Sequence, residues 1–274
     1  MALLRNVTRC MEKIAPLKIA EHAWDNVGLL IEAPFPRPGR TVFLTIDLTH
    51  PVLSEALANP DIGVIVSYHP PLFKSFNRLT LKDEKQSIAL KCAASGVSVY
   101  APHTSLDNCV EGINDWLARG LGEGETRVIN EMEGPPEGQE GCGSGRIHTL
   151  KQPIPLKTLV ERVKKHLGLA HVRLATAPGQ ESKDVATVAI CAGSGASILG
   201  GVKADVYFTG EMSHHEVLAA LADNTNVILC EHTNTERGFL SNVLQPRLQK
   251  LLREEDEGAV VVCSKVDKDP LVVV

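Results

Sequence analysis

The sequence predicts an α/β protein of two related α/β domains, each a mixed sheet flanked by helices. Three observations predict it. Strand-like apolar runs alternate with segments of helical spacing along most of the 274 residues. The stretch from Gly120 to Gly145 interrupts that alternation with Gly, Glu and the pair Pro135-Pro136. The two flanking parts share an echo, Val97-Ser-Val-Tyr-Ala-Pro-His-Thr-Ser-Leu-Asp107 against Asn226-Val-Ile-Leu-Cys-Glu-His-Thr-Asn-Thr-Glu236. Both read strand, His, Thr, two residues, carboxylate, as duplicated halves would. The domains are then 1–120 and 146–274, joined by a linker at 121–145.

In chain order, Leu3, Leu4, Val7, Met11 and Ile14 have helical spacing. Arg5 and Arg9 give that segment a transit-peptide flavour, but Glu12 and the lack of a hydroxyl-rich stretch favour a first domain helix. Strands follow at Thr41 to Ile46 before Asp47, Gly63 to Val66 before His69, and Val97 to Tyr100 before His103. Helices are expected from Pro51 to Leu57 and from Gln86 to Ala94, the second stopped by Gly96. Beyond the linker come a helix near Pro155 to Leu167, strands Val185 to Cys191, Ala204 to Phe208 and Asn226 to Cys230, and helices near Ser213 to Ala222 and after Glu236. The acidic run Glu254 to Glu257 leads into a closing strand, Ala259 to Cys263.

Composition excludes several classes. At 43% apolar and 22% charged the chain can bury roughly three quarters of its unfolded surface and needs no staples. A net charge of −5 with scattered basic residues gives nucleic acid or an anionic membrane no electrostatic footprint. Seven cysteines without a C-x-x-C suit a reducing compartment, so the expected location is cytoplasmic, with a mitochondrial fraction as the variant reading. No apolar run approaches the ~20 residues that span a bilayer.

In such an alternating fold, ligands collect beyond the carboxyl ends of strands. His103 and Asp107, and likewise His232 and Glu236, stand four positions apart where a strand gives way to a turn or helix, so both donors can reach one spot. An isolated pair of this kind also occurs on helix surfaces. Two pairs at equivalent strand ends favour chelation, because a buried strand end is a costly place for an unpaired carboxylate. Imidazole with carboxylate suits zinc, iron or manganese. His69, stiffened by Pro70-Pro71, is either a fifth ligand or a histidine satisfied by a backbone carbonyl. Tyr68 either packs or donates a hydrogen bond to a ligand oxygen. Gly193, Ser194 and Gly195 form either a tight strand-to-helix turn or a loop offering N–H groups to phosphate. Glu211 and His215 flank a capped helix start at Ser213 and are candidate substrate contacts.

Six ordered motifs resemble the NGG-one-interacting-factor-three-like (NIF-three-like) family, also known as domain of unknown function thirty-four. They are Ala20-Glu-His-Ala-Trp-Asp-Asn-Val-Gly-Leu29, Ser67-Tyr-His-Pro-Pro-Leu-Phe73, His103-Thr-Ser-Leu-Asp-Asn108, Ala192-Gly-Ser-Gly195, Thr209-Gly-Glu-Met-Ser-His-His215 and His232-Thr-Asn-Thr-Glu-Arg237. The resemblance covers nearly the whole chain. It implies two related halves with a dinuclear metal centre between them, ligands at His69, His103, Asp107, His232 and Glu236, and a ring-shaped hexamer as in bacterial relatives. Many of those relatives carry His-His where this chain has Tyr68-His69, so one ion loses a ligand and the expected content is one or two divalent ions. Only 120–145 is available for the extra domain that some relatives insert.

Two functions follow as expectations. One is a metal-dependent hydrolase acting on a nucleotide or other small phosphorylated ligand; some relatives carry the label GTP cyclohydrolase type two. The other is a non-catalytic metal-binding scaffold, a homo-oligomer that meets protein partners such as transcriptional regulators. A nucleic-acid-binding regulator is the reading that charge disfavours most.

Overall fold

The computed structural model describes residues 2–274. In chain order the elements are α1 (Ala2–Ile14), β1 (Gly28–Ile31), β2 (Thr41–Thr45), α2 (His50–Ala58), β3 (Ile62–Ser67), α3 (Glu84–Ala94), β4 (Ser98–Ala101), α4 (Thr104–Asn108) and α5 (Ile113–Arg119). They continue with β5 (Gly124–Glu131), β6 (Gly143–Pro155), α6 (Leu156–Leu167), β7 (Arg173–Ala175), β8 (Asp184–Ser194), α7 (Ala196–Leu199), β9 (Val206–Glu211), α8 (His214–Ala222), β10 (Asn226–Leu229), α9 (Asn234–Phe239), α10 (Gln245–Glu255) and β11 (Val260–Cys263). A short π-helical turn, Leu240–Leu244, joins α9 to α10. Among the described residues no helix is long and apolar enough to cross a membrane.

The chain forms two compact units. The first is Met1–Leu106 with Phe239–Lys268, and the second is Asp107–Gly238 with Asp269–Val274. The first unit's sheet has the order β1-β4-β3-β2-β11. Its strands β2, β3, β4 and β11 run parallel, and β1 closes one edge antiparallel. Every residue of β2 and β3 is buried, as expected of central parallel strands covered on both faces, which read as unbroken apolar runs. On one face α2 and α3 build a core of Phe43, Leu53, Ile65, Ile88 and their neighbours. In α1 the buried residues Val7, Cys10, Met11 and Ile14 recur at helical spacing, and this stripe packs on β3 and α10.

The second unit's sheet has the order β5-β6-β8-β9-β10-β7, with β8, β9 and β10 parallel and the other three antiparallel. Its core gathers Ala189, Leu199, Tyr207, Ala220, Val227 and Leu229. The two halves of the sequence echo occupy matching places. β4 lies between parallel β3 and an antiparallel edge strand, and β10 lies between parallel β9 and an antiparallel edge strand.

Two departures concern the expected domain limits. Residues 121–145 are no linker: β5 pairs with β6 from Gly124↔Leu150 to Glu131↔Gly143 inside the second unit. The closing strand, expected in the second domain, is β11, and it pairs with β2 in the first unit's sheet, Val261 opposite Val42.

Candidate metal-binding residues

In the first unit, β3 ends at Ser67 and delivers Tyr68 and His69, whose amides continue the ladder to Thr45 O and Ile46 O at 2.8 and 3.0 Å. Asp47, just past β2, places Oδ1 2.9 Å from His69 Nδ1. The partner of this ring nitrogen is a carboxylate rather than the backbone carbonyl considered from sequence. His103 follows β4 with a positive φ of 36°, a conformation that costs a non-glycine residue energy and tends to be kept at functional positions. Its Nδ1 meets Asp25 Oδ1 at 2.6 Å, and the Asp25 side chain is fully buried. Thr104 Oγ1 also donates to Asp25, at 2.5 Å. Burial pushes the Asp25 carboxyl up, but the hydrogen bonds from His103 and Thr104 outweigh it and hold it below the usual carboxylate range. The rings of His69 and His103 stand edge to face with centroids 5.5 Å apart. Tyr68 is buried and packs on both, at 5.0 and 5.5 Å.

In the second unit, Glu231 after β10 has φ 65° and is held by Arg173 of β7, Nε to Oε1 at 2.8 Å. His232 follows. Its Nδ1 lies 2.8 Å from Oε1 of Glu211, the last residue of β9. A neutral imidazole donates its single N–H there, so Nε2 carries the lone pair. Nε2 faces Glu236 Oε1 at 3.5 Å, and Glu236 is only 1% exposed. A second proton on the ring or a cation held by both atoms would make this approach favourable.

Gly193 shows that the chain keeps this place open. It has φ +61°, and a Cβ there would sit 2.8 Å from His232 Nε2 and 2.9 Å from Glu236 Oε1. Its amide is not offered to a ligand, because Gly193 N donates to Thr235 Oγ1 at 2.8 Å and Ala192 N donates to Asn114 Oδ1 at 2.8 Å. The segment is therefore the tight strand-to-helix turn, with Gly195 at the start of the four-residue α7. Ser194 is exposed.

All three histidines share one device. A carboxylate oxygen lies 2.6–2.9 Å from Nδ1 of each ring, an arrangement also common to metal-bound histidine. Among the described residues, His69, His232 and Glu236 form a group that could hold a metal ion. Asp107 rides half-buried on α4, one turn after His103, and Asn114 Nδ2 donates to its carbonyl at 3.1 Å. Of the candidate substrate contacts, Glu211 lies against His232 Nδ1. His215 is exposed in the first turn of α8, with its ring 5.4 Å from that of His214. Sequence reasoning missed Asp25 and Asp47 as orienting carboxylates. Asp47 at a strand end was the available signal, and Asp25 stood in a motif without a role.

These features define an α/β protein whose strand ends carry carboxylate-oriented histidines able to hold a metal ion. A family model described as Duf34/NIF3 (NGG1p interacting factor 3) matches residues 2–270. Protein NIF3 homolog of Schizosaccharomyces pombe is 44% identical over 266 residues, covering 96% of this chain and 95% of the relative. NGG1-interacting factor 3 of Saccharomyces cerevisiae is 40% identical over 289 residues, covering 99% and 97%. The Bacillus cereus protein related to NIF3 has the same fold, with a TM-score of 0.82 at 21% identity and 98% of each chain covered. The chain belongs to the DUF34/NIF3 family.

Proposed function

We propose that this protein is a metal-dependent hydrolase that holds one or two divalent ions, zinc, iron or manganese, on His69, His103, Asp107, His232 and Glu236. Its substrate is a nucleotide or another phosphorylated small molecule. The observation that carries the reading is Gly193, which keeps a side chain away from His232 Nε2 and Glu236 Oε1, two candidate ligand atoms 3.5 Å apart. A bound divalent ion supplies Lewis acidity and makes water a nucleophile near neutral pH. The chain's residues supply the frame. Asp47, Asp25 and Glu211 sit against the Nδ1 atoms of His69, His103 and His232, which orients each ring to present Nε2 as the ligand. Thr104 and the backbone of Asn26 help to keep Asp25 ionised for that task.

A second reading, a metal-binding scaffold for protein partners such as transcriptional regulators, is favoured by the name of the yeast relative. Exposed Trp24, Phe35 and Leu81 offer it apolar contact surface. Both readings place the protein in the cytoplasm, with a mitochondrial fraction, as a homo-oligomer, a hexamer on family resemblance. Cell fractionation and light scattering check these points.

Elemental analysis of protein purified without added metal, for wild type and His232→Ala/Glu236→Ala, is the first test. Loss of metal in the variant, followed by metal-dependent release of phosphate or base from a panel of nucleotides, supports the hydrolase. Metal without turnover of any phosphorylated compound moves the conclusion to the scaffold. Wild type that takes up no metal after anaerobic reconstitution refutes the ligand assignment.

A further inference from the structure

The loop after His69 borders an open pocket of about 410 Å³ within the first unit, lined among others by Pro71, Phe73, Lys74, Phe76 and Lys85. That lies within the range of small-molecule sites, roughly 300–1,000 Å³. Phe73 and Phe76 are 47% and 41% exposed, so aromatic surface worth burying is left facing this space. Phe73 is anchored on its other side, its ring 6.2 Å from Trp24 and 6.2 Å edge-on from His103. The aromatic wall of the pocket thus begins at a proposed metal ligand.

Charge narrows the occupant. From Lys74 to Lys85 the loop and the first turn of α3 carry four cations, Lys74, Arg78, Lys82 and Lys85, against Asp83 and Glu84, in a chain whose net charge is −5. The one carboxylate lining the pocket is engaged, since Asp83 Oδ1 accepts from Gln86 N at 3.0 Å as the cap of α3. Among the described residues neither Lys74 nor Lys85 makes an ion pair, and both line the space. Gln86 Oε1 accepts from Thr80 N at 2.9 Å, which leaves its amide nitrogen as the donor for a ligand's edge. Stacking rings together with ammonium groups suit a planar heteroaromatic ring that bears phosphate.

We propose that this pocket is the nucleotide subsite of the protein: the base lies against Phe73 and Phe76, and the phosphate pairs with Lys74 and Lys85. This deepens the hydrolase reading by naming its substrate class and the residues that select it. The site needs no metal for binding, so it is tested separately from the metal.

Calorimetric titration of the metal-free protein with AMP and UMP, beside adenosine and ribose phosphate, reads it. AMP and UMP should bind, with adenosine and ribose phosphate each weaker because each offers half the contacts. Phe76→Ala should weaken AMP about tenfold, as loss of one stacking ring does. Lys74→Ala/Lys85→Ala should weaken AMP while leaving adenosine unchanged. Phe76→Leu and thermal unfolding of each variant guard against loss of fold. Absence of AMP and UMP binding with or without metal overturns the proposal, as does unchanged AMP affinity in both variants. A chain that holds metal but ignores AMP removes this subsite and leaves the metal assignment standing. A chain that binds AMP through Phe76 but never takes metal keeps the subsite and removes the hydrolase.

Discussion

Gly193→Ala separates backbone strain from site occlusion. An alanine at φ +61° costs about 1–2 kcal/mol in the left-handed region, whatever surrounds it. Its Cβ would also stand 2.8 Å from His232 Nε2 and 2.9 Å from Glu236 Oε1, so His232 must retreat by about 0.6 Å to restore an ordinary 3.4 Å contact. The ring is tethered to Glu211, and ligand distances tolerate only about 0.2 Å, so metal affinity should fall at least about tenfold, or ~1.4 kcal/mol. Gly168→Ala is the control: φ is +70° and nothing lies within 4 Å of the added Cβ. Both variants should lose about 1–2 kcal/mol in urea denaturation of the metal-free protein, and only Gly193→Ala should lose metal in competition with a chelating dye. Equal metal affinity in the two variants would falsify the assignment of His232 and Glu236.

Three further outcomes are expected. Asp25→Asn and Glu211→Gln, which replace the carboxylates on His103 and His232, should each weaken metal binding by about 10–100-fold; the same dye competition measures it, and wild-type affinity in both rejects the orienting role. Burial lowers the pKa of His148 and His166, so the unfolded chain binds more protons and stability rises with pH. This contribution is complete above about pH 6.5 and is lost as pH falls below it, through the folded-state values. Urea midpoints of metal-free protein across that window check it, and His148→Gln should flatten the slope. Arg146 is buried, pairs with Asp115 at 2.5 Å and donates to the carbonyls of Gly143, Gly145, Asn108 and Cys109. Arg146→Ala should therefore cost about 3 kcal/mol or more; a loss below about 1 kcal/mol would mean that water replaces the guanidinium.

The parts of the fold legible in the sequence were those whose burial imposes a pattern. Thr41 to Ile46 and Gly63 to Val66 are unbroken apolar runs because both faces of β2 and β3 are covered. The hairpin of β5 escaped notice because most of its residues, including Gly124 to Arg127, are exposed. An edge strand with no buried face carries no apolar alternation, and its Gly and Glu content reads as loop. The fate of β11 was equally hidden, since an apolar run such as Ala259 to Cys263 says that it is a strand and nothing about its partner. At the site, the His and carboxylate spacing picked out His103 and His232 because both follow strands at matching positions. Asp25 was not legible as a partner of His103, because the bond joins residues 78 positions apart and no local period encodes it.

The return of β11 to the first unit has a consequence for biosynthesis. Until Val260 to Cys263 leave the ribosome, β2 has one edge with unsatisfied ladder groups along Thr41–Thr45, the kind of edge that recruits strands from other chains. At ~5–20 residues per second, that edge waits roughly 10–40 s after β2 has emerged. The whole of 107–238 is made in that interval and can fold first. A nascent chain stalled before β11 should thus hold most of the second unit, 107–238, together with an aggregation-prone first one, and holdase chaperones that cover β2 would raise the yield of finished protein.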